Sequence, residues 1–124
     1  MIIIYTIVIV FIGITQVYKT SGWLSYYHWI EHNGIKGVRF HSFINFSLGL
    51  PIIIFIKDLS GPQNALYIFA WFVVLESLFS LISAKLIVRE FKGIDKIILA
   101  RFIIFSGVIH LVIGGILFMD IIYN

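Results

Sequence analysis

Long apolar runs, interrupted at only three places, dominate the pattern of the chain. Residues 2–18, 38–56, 65–84 and 97–119 are almost uniformly apolar, and polar residues gather between them. A helix that crosses a hydrocarbon core of ~30 Å needs about 20 largely apolar residues. A membrane-crossing strand needs only about 9 to 11 and alternates apolar with polar. The four runs approach the first length and do not alternate, so they predict helices despite their density of Ile, Val and Phe. A helix also satisfies every backbone N–H and C=O within its own segment, which lipid demands. The expected fold is all-α: an integral membrane four-helix bundle, forming one four-span domain over residues 1–124.

The connections carry their own signals. Residues 57–64, KDLSGPQN, read as a tight helical-hairpin turn with Gly61-Pro62 as its breaker. Residues 85–96 read as a polar loop. Within residues 19–37, the stretch TSGWLSYYHWIEHNG offers Thr20 or Ser21 as N-cap and Gly34, after Asn33, as a C-cap residue. It predicts a short amphipathic helix lying at the membrane interface in the first loop. Trp23, Tyr27 and Ile30, with Tyr26 beside them and Trp29 at the edge, would rest among headgroups, while His28, Glu31 and His32 point to water.

Composition removes the alternatives to a membrane protein. With 60% hydrophobic and 12% charged residues and a mean hydropathy of +1.05, 124 residues cannot cover themselves with a wettable surface. The absence of cysteine excludes disulfides, thiolate metal sites and cysteine nucleophiles. Residues 1–14 lack a basic leading region and a small-residue cleavage site, so they are expected to stay as a helix. The net charge of +3 matters through its distribution. Lys19, Lys36, Arg39, Lys85, Arg89, Lys92, Lys96 and Arg101 border the first and third loops, and only Lys57, of nine basic residues, borders the second. The positive-inside rule then puts those two loops in the cytoplasm and both termini outside a cell membrane. The bilayer is the expected partner, with a larger membrane complex or a homo-oligomer; nucleic acid and cofactors are not expected.

Lipid tails are as apolar as leucine, so small and polar residues mark the faces where helices meet. Helical spacing aligns Ile9, Gly13 and Gln16; His41, Asn45, Gly49 and Ile52; Glu76, Ser80 and Ser83; and Ala100, Gly107, His110 and Gly114. Pro51 removes one backbone bond from the second helix and is expected to kink it. Glu76 stands out, because a carboxylate in hydrocarbon costs ~2.5 to 3.5 kcal/mol and must be protonated, paired or hydrated. Arg101 enters the fourth helix from the same side, and His41 and Asn45 lie in the same half of the membrane. A cluster of Glu76, Arg101, His41 and Asn45 is geometrically allowed. It reads either as a buried pair that fixes helix register or as a proton or solute site with His41 or His110 as relay.

Residues 28–32 spell H-x-x-E-H, a string that resembles the inverted zinc peptidases, in which two histidines hold zinc and the glutamate is the base. The likeness covers five residues and makes His28, Glu31 and His32 candidate metal ligands. In length and helix count the chain resembles the small multidrug-resistance transporters, whose essential glutamate lies in the first helix. Here the first helix has no acid, and Glu76 is in the third. Three classes follow: an accessory, assembly or scaffold subunit with a buried polar cluster; a proton-coupled carrier of a small solute using Glu76; and a membrane metal protein using His28, Glu31 and His32. The first is preferred because so small a bundle leaves little room for a private solute pathway, and enzymatic activity is not expected.

Overall fold

The computed structural model describes residues 2–57 and 61–123. Among them are six helices and no strand: α1 (Ile2–Tyr18), α2 (Thr20–Asn33), α3 (Ile35–Phe55), α4 (Gln63–Ile82), α5 (Ala84–Phe91) and α6 (Lys96–Tyr123). α3, α4 and α6 are each long and apolar enough to cross a membrane, and the bent pair α1 and α2 makes a fourth candidate if taken together. α1 alone extends about 26 Å at 1.5 Å per residue. Large apolar side chains such as Phe11, Phe43, Phe72 and Phe105 stay exposed, each above 60%. Water would not tolerate such a surface, and lipid suits it.

The chain divides into two compact units, Met1–Ser25 with Asp95–Asn124 and Tyr26–Ile94. In the first, α1 packs on α6. Thr6, Ile9, Gly13 and Gln16 are the buried face of α1, which matches the small and polar stripe expected there. α6 answers with Ile103, Gly107, Gly114 and Leu117, while Ala100 and His110 are half-buried. A Cβ on Gly107 would lie 2.8 Å from Gln16 Cβ, and one on Gly13 would lie 2.8 Å from Leu111 Cγ. Only glycine lets the two backbones come this close.

In the second unit α3 packs on α4, and both touch α5. α3 buries Gly37, Val38, Ser42, Gly49 and Ile52, leaving His41 and Asn45 half-buried beside them. α4 buries Leu66, Ala70, Val74, Ser77 and Ser80. The stripe expected through Glu76, Ser80 and Ser83 fails only at its first member, where Ser77, about 100° round the helix, is buried in place of Glu76. Ser80 is buried and Ser83 half-buried as expected, but Glu76 is exposed. Ser77 takes the inner position because its small hydroxyl satisfies itself on the Val73 carbonyl at 2.6 Å, as a carboxylate cannot.

Other expectations shift at the edges. α3 starts at Ile35 rather than 38, α4 ends at Ile82 rather than 84, and α6 continues to Tyr123. In the 57–64 turn, Asp58, Leu59 and Ser60 lie outside the described residues. Gly61 and Pro62 there start the first turn of α4, accepting from Asn64 N at 3.0 Å and Ala65 N at 3.1 Å. The expected polar loop at 85–96 contains α5, because Ala84, Ile87, Val88 and Phe91 share a helical face between the charges. α2 forms where expected, after a break with a 96° bend from α1. Thr20 does not cap it; its hydroxyl donates back to the carbonyls of Gln16 (2.8 Å) and Val17 (3.2 Å).

The aromatic face of α2 also departs from expectation. Trp23 Nε1 donates to Thr15 Oγ1 at 3.1 Å. Ile30 is buried with Val38 and Ala84, and Tyr26, Tyr27, Ile35, Ile87 and Val88 pack around them. The face reserved for headgroups is therefore turned against protein, since burying it there removes apolar area from solvent as effectively as lipid would.

Candidate functional site

The polar centre of the second unit is His41, and two glycines bring its partner to it. Gly34 takes a left-handed φ of 60°, which ends α2 at little steric cost, and Val38 N bonds the Gly34 carbonyl at 3.0 Å. Three residues on, a Cβ at Gly37 would press into the Ile30 carbonyl oxygen and lie 2.9 Å from Ile30 Cα. The bare Gly37 lets α2 fold back over the first turn of α3, and this carries Tyr26 to His41, fifteen residues later in sequence.

The Tyr26 hydroxyl and His41 Nδ1 are 2.8 Å apart, and Asn45 Nδ2 is 3.1 Å from His41 Nε2. With the Asn45 amide donating to Nε2, the imidazole is neutral, and its Nδ1–H donates to the phenol oxygen. Turning that amide over lets Nε2–H donate to Asn45 Oδ1 and the phenol donate to Nδ1. Both tautomers are satisfied, so the arrangement holds a histidine while leaving the position of its proton open.

Aromatic rings enclose the group. Tyr26 and Tyr27 have ring centroids 5.5 and 5.9 Å from His41, and Tyr27 stacks on Phe91 of α5 at 5.9 Å. α2, at 14 residues, is too short to span by itself. Burial pushes the Tyr27 phenol up to about 12, and the charges of Glu76 and Tyr26 add to the effect. Tyr27 thus links the His41 group electrostatically to Glu76 on α4. Neither Tyr26 nor Tyr27 was singled out from sequence as a site residue. Their adjacency to His41 depends on the fold-back at Gly34 and Gly37, for which the only sequence signal was the pair of glycines.

Among the other expected site residues, Glu76 reaches this group through its charge on Tyr27. Glu76 is exposed, off the face by which α4 meets α3. Arg101 belongs to the first unit, exposed on α6 and off the face that meets α1. Among the described residues neither has an ion-pair partner; pairs there include His28 with Glu31 at 4.0 Å and Arg89 with Glu90 at 3.7 Å. His110 Nδ1 is 2.6 Å from the Ser106 carbonyl, one turn earlier on α6, so Nδ1 carries the proton and donates. His28 and His32 are exposed on α2, and no three His, Cys, Asp or Glu side chains among the described residues come together as a metal site.

The first unit contains one unexpected polar feature. Gln16 is 4% exposed, and its Oε1 accepts no hydrogen bond among the described residues. The sequence marked Gln16 only as part of a packing stripe. No family model matches the chain, and no curated protein or solved structure matches it.

Proposed function

We propose that the chain is a small multi-pass subunit of a larger membrane assembly, acting as an accessory, assembly factor or scaffold. The observation that carries this reading is the division of its polar residues. Ser42, Ser77, His41 and Asn45 find partners within one unit. Glu76 remains on the outer face of α4, six residues before its end at Ile82, about 9 Å along the helix axis. An outward carboxylate at that depth costs ~2.5 to 3.5 kcal/mol unless a polar group of another membrane segment meets it. A protein that works alone gains nothing from that cost; a subunit gains an orienting contact. The expected four-helix bundle with both termini outside a cell membrane belongs to the same reading, supported by three candidate spans, or four with the bent pair α1 and α2, and by the basic residues around the first and third loops. Purification of the tagged chain from its native membrane in mild detergent tests it. One larger membrane protein should co-purify at fixed stoichiometry, and its level should fall when the chain is deleted. A chain that always isolates alone, with no dependent protein, refutes the reading.

One observation favours a second reading, a proton-coupled carrier of a small solute. His41 is bonded through both ring nitrogens and is joined through Tyr27 to the charge of Glu76, an arrangement suited to passing a proton. In this reading Glu76 alternates between charged and neutral forms, His41 or His110 relays, and Arg101 holds the counter-charge. Flux of a solute that depends on pH and survives Glu76→Gln would sink it.

A further inference from the structure

We infer that the outer face of α5 binds an anionic phospholipid of the adjoining leaflet, its phosphate held by Lys85, Arg89 and Lys92 and its acyl chains lying along Leu86 and Ile82. The two sides of α5 have different surroundings. Ala84 is buried with Ile30 and Val38, Ile87 and Val88 pack against them, and Phe91 stacks on Tyr27. The apolar side is therefore covered by protein and does not need lipid to bury it. Lys85, Arg89 and Lys92 follow i, i+4, i+7, so they form one stripe, and all three are exposed. Lys92 stays in that stripe because, one residue past the end of the helix, it keeps helical φ and ψ of −62° and −22°. What α5 offers to its surroundings is this row of cations, one per turn.

Position makes the row a lipid site. α4 ends at Ile82 and α5 starts at Ala84, so with α4 as a span the row begins where the chain leaves hydrocarbon. Lys85 is then about 4.5 Å and Arg89 at most about 10.5 Å past the span at any tilt of α5. The potential of an anionic leaflet acts within a Debye length of ~8 to 10 Å, and the long side chains cover the remainder. Leu86, 40% exposed, is three residues before Arg89 and so its neighbour on the helix surface, and Ile82 is 84% exposed. Cations beside bare apolar side chains suit a phosphate that carries acyl chains better than a free anion. The packing of Val38 on Ala84 brings the first turn of α3, with exposed Lys36 and Arg39, to the same end of this unit. These five basic residues face two acids there, Glu31 and Glu90. Glu90 pairs with Arg89 at 3.7 Å, but with the two side chains 68% and 76% exposed the pair is weak, and Arg89 can exchange it for phosphate. Glu76, nine residues before Lys85, lies within α4, and its charge acts on Tyr27, on the packed side of α5.

Lipid retention by the full chain tests the inference. The tagged protein is washed in mild detergent doped with equal phosphatidylglycerol and phosphatidylcholine, and the lipid that stays with it is read by mass spectrometry. Each basic residue beside an anionic headgroup adds roughly fivefold in affinity, so wild type should prefer phosphatidylglycerol by at least about tenfold. The triple variant K85Q/R89Q/K92Q should lose that preference, and K57Q, beyond the other end of α3, should keep it. E90Q removes the competing carboxylate and should hold or raise the preference. Equal retention of the two lipids by wild type overturns the inference and leaves the row to an acidic segment of a partner protein. A triple variant that is helical, monodisperse and still selective overturns it, as does a loss of selectivity in E90Q. Displacement of phosphatidylglycerol by millimolar inorganic phosphate would show a free-anion site and also overturns it. If the triple variant does not accumulate, K85Q and R89Q substitute: each should weaken the preference about twofold to fivefold, and no change in either overturns the inference. Co-purification of a larger membrane protein is read separately, so the subunit reading stands or falls independently of the lipid.

Discussion

A hydroxyl, amide or imidazole on an apolar helix is satisfied either on its own helix or by another element, and both solutions occur here. Thr6, Ser42 and Ser77 donate to carbonyls four residues back, at 2.8, 2.8 and 2.6 Å. These bonds need no tertiary structure. His41 instead uses Tyr26 of α2, so its environment exists only when α2 is folded back. Tyr27 reports on the same contact. Its phenol is held up at about 12 in the folded state against 10.0 in the unfolded chain. The folded state therefore keeps the proton longer. The resulting stability is fully present below pH 10 and disappears as pH rises through about 12. Thermal unfolding in mild detergent should show a steep loss across that window, flattened by Tyr27→Phe; an unchanged profile in the variant would show that burial of Tyr27 does not govern it. His41 and Asn45 were legible in the sequence as polar residues one helical turn apart. Tyr26 was not, because its sequence distance from His41 carries no information about contact.

At the scale of elements, close approach rests on particular glycines rather than on glycine content. Gly107 faces Gln16 and Val17 with no room for a side chain, whereas Gly115, eight residues later on α6, has nothing within 4 Å of an added Cβ. Gly107→Leu should thus destabilise by about 1 to 3 kcal/mol through overpacking, and Gly115→Leu should be neutral or slightly stabilising through better helix propensity. Melting temperatures of the two variants check this, and equal effects would refute the α1–α6 register. Gly37→Leu belongs with Gly107, since it would separate α2 from α3 at Ile30. The four long helices were legible because length and uniform apolarity suffice in lipid. α5 was missed because two helical turns among four basic residues look like a loop until Ala84, Ile87, Val88 and Phe91 find a surface to cover.

At the scale of the whole molecule, the proposed orientation rests on eight basic residues beside two connections and one beside the third. The lack of native cysteine makes it directly measurable. In intact cells a membrane-impermeant thiol reagent should label Gln63→Cys and reach Lys92→Cys only after permeabilisation. The opposite labelling would reverse the assigned orientation. The division into two units, α1 with α6 and α3 to α5 with most of α2, gives each unit its own packed face and leaves Arg101 exposed on the first and Glu76 on the second.

By itself the sequence determined the solvent, the helical class, the position of the long helices within a few residues and the charge asymmetry. Each depends on summed local quantities, such as apolar length and the count of basic residues, that no tertiary contact can reverse. Tertiary structure decided the rest. It turned the aromatic face of α2 inward, joined Tyr26 to His41, and put Ser77 rather than Glu76 on the packed side of α4. Neighbouring positions on a helix differ by about 100°, so the inward choice between Glu76 and Ser77 is made by the shape of the facing helix, which no single segment encodes.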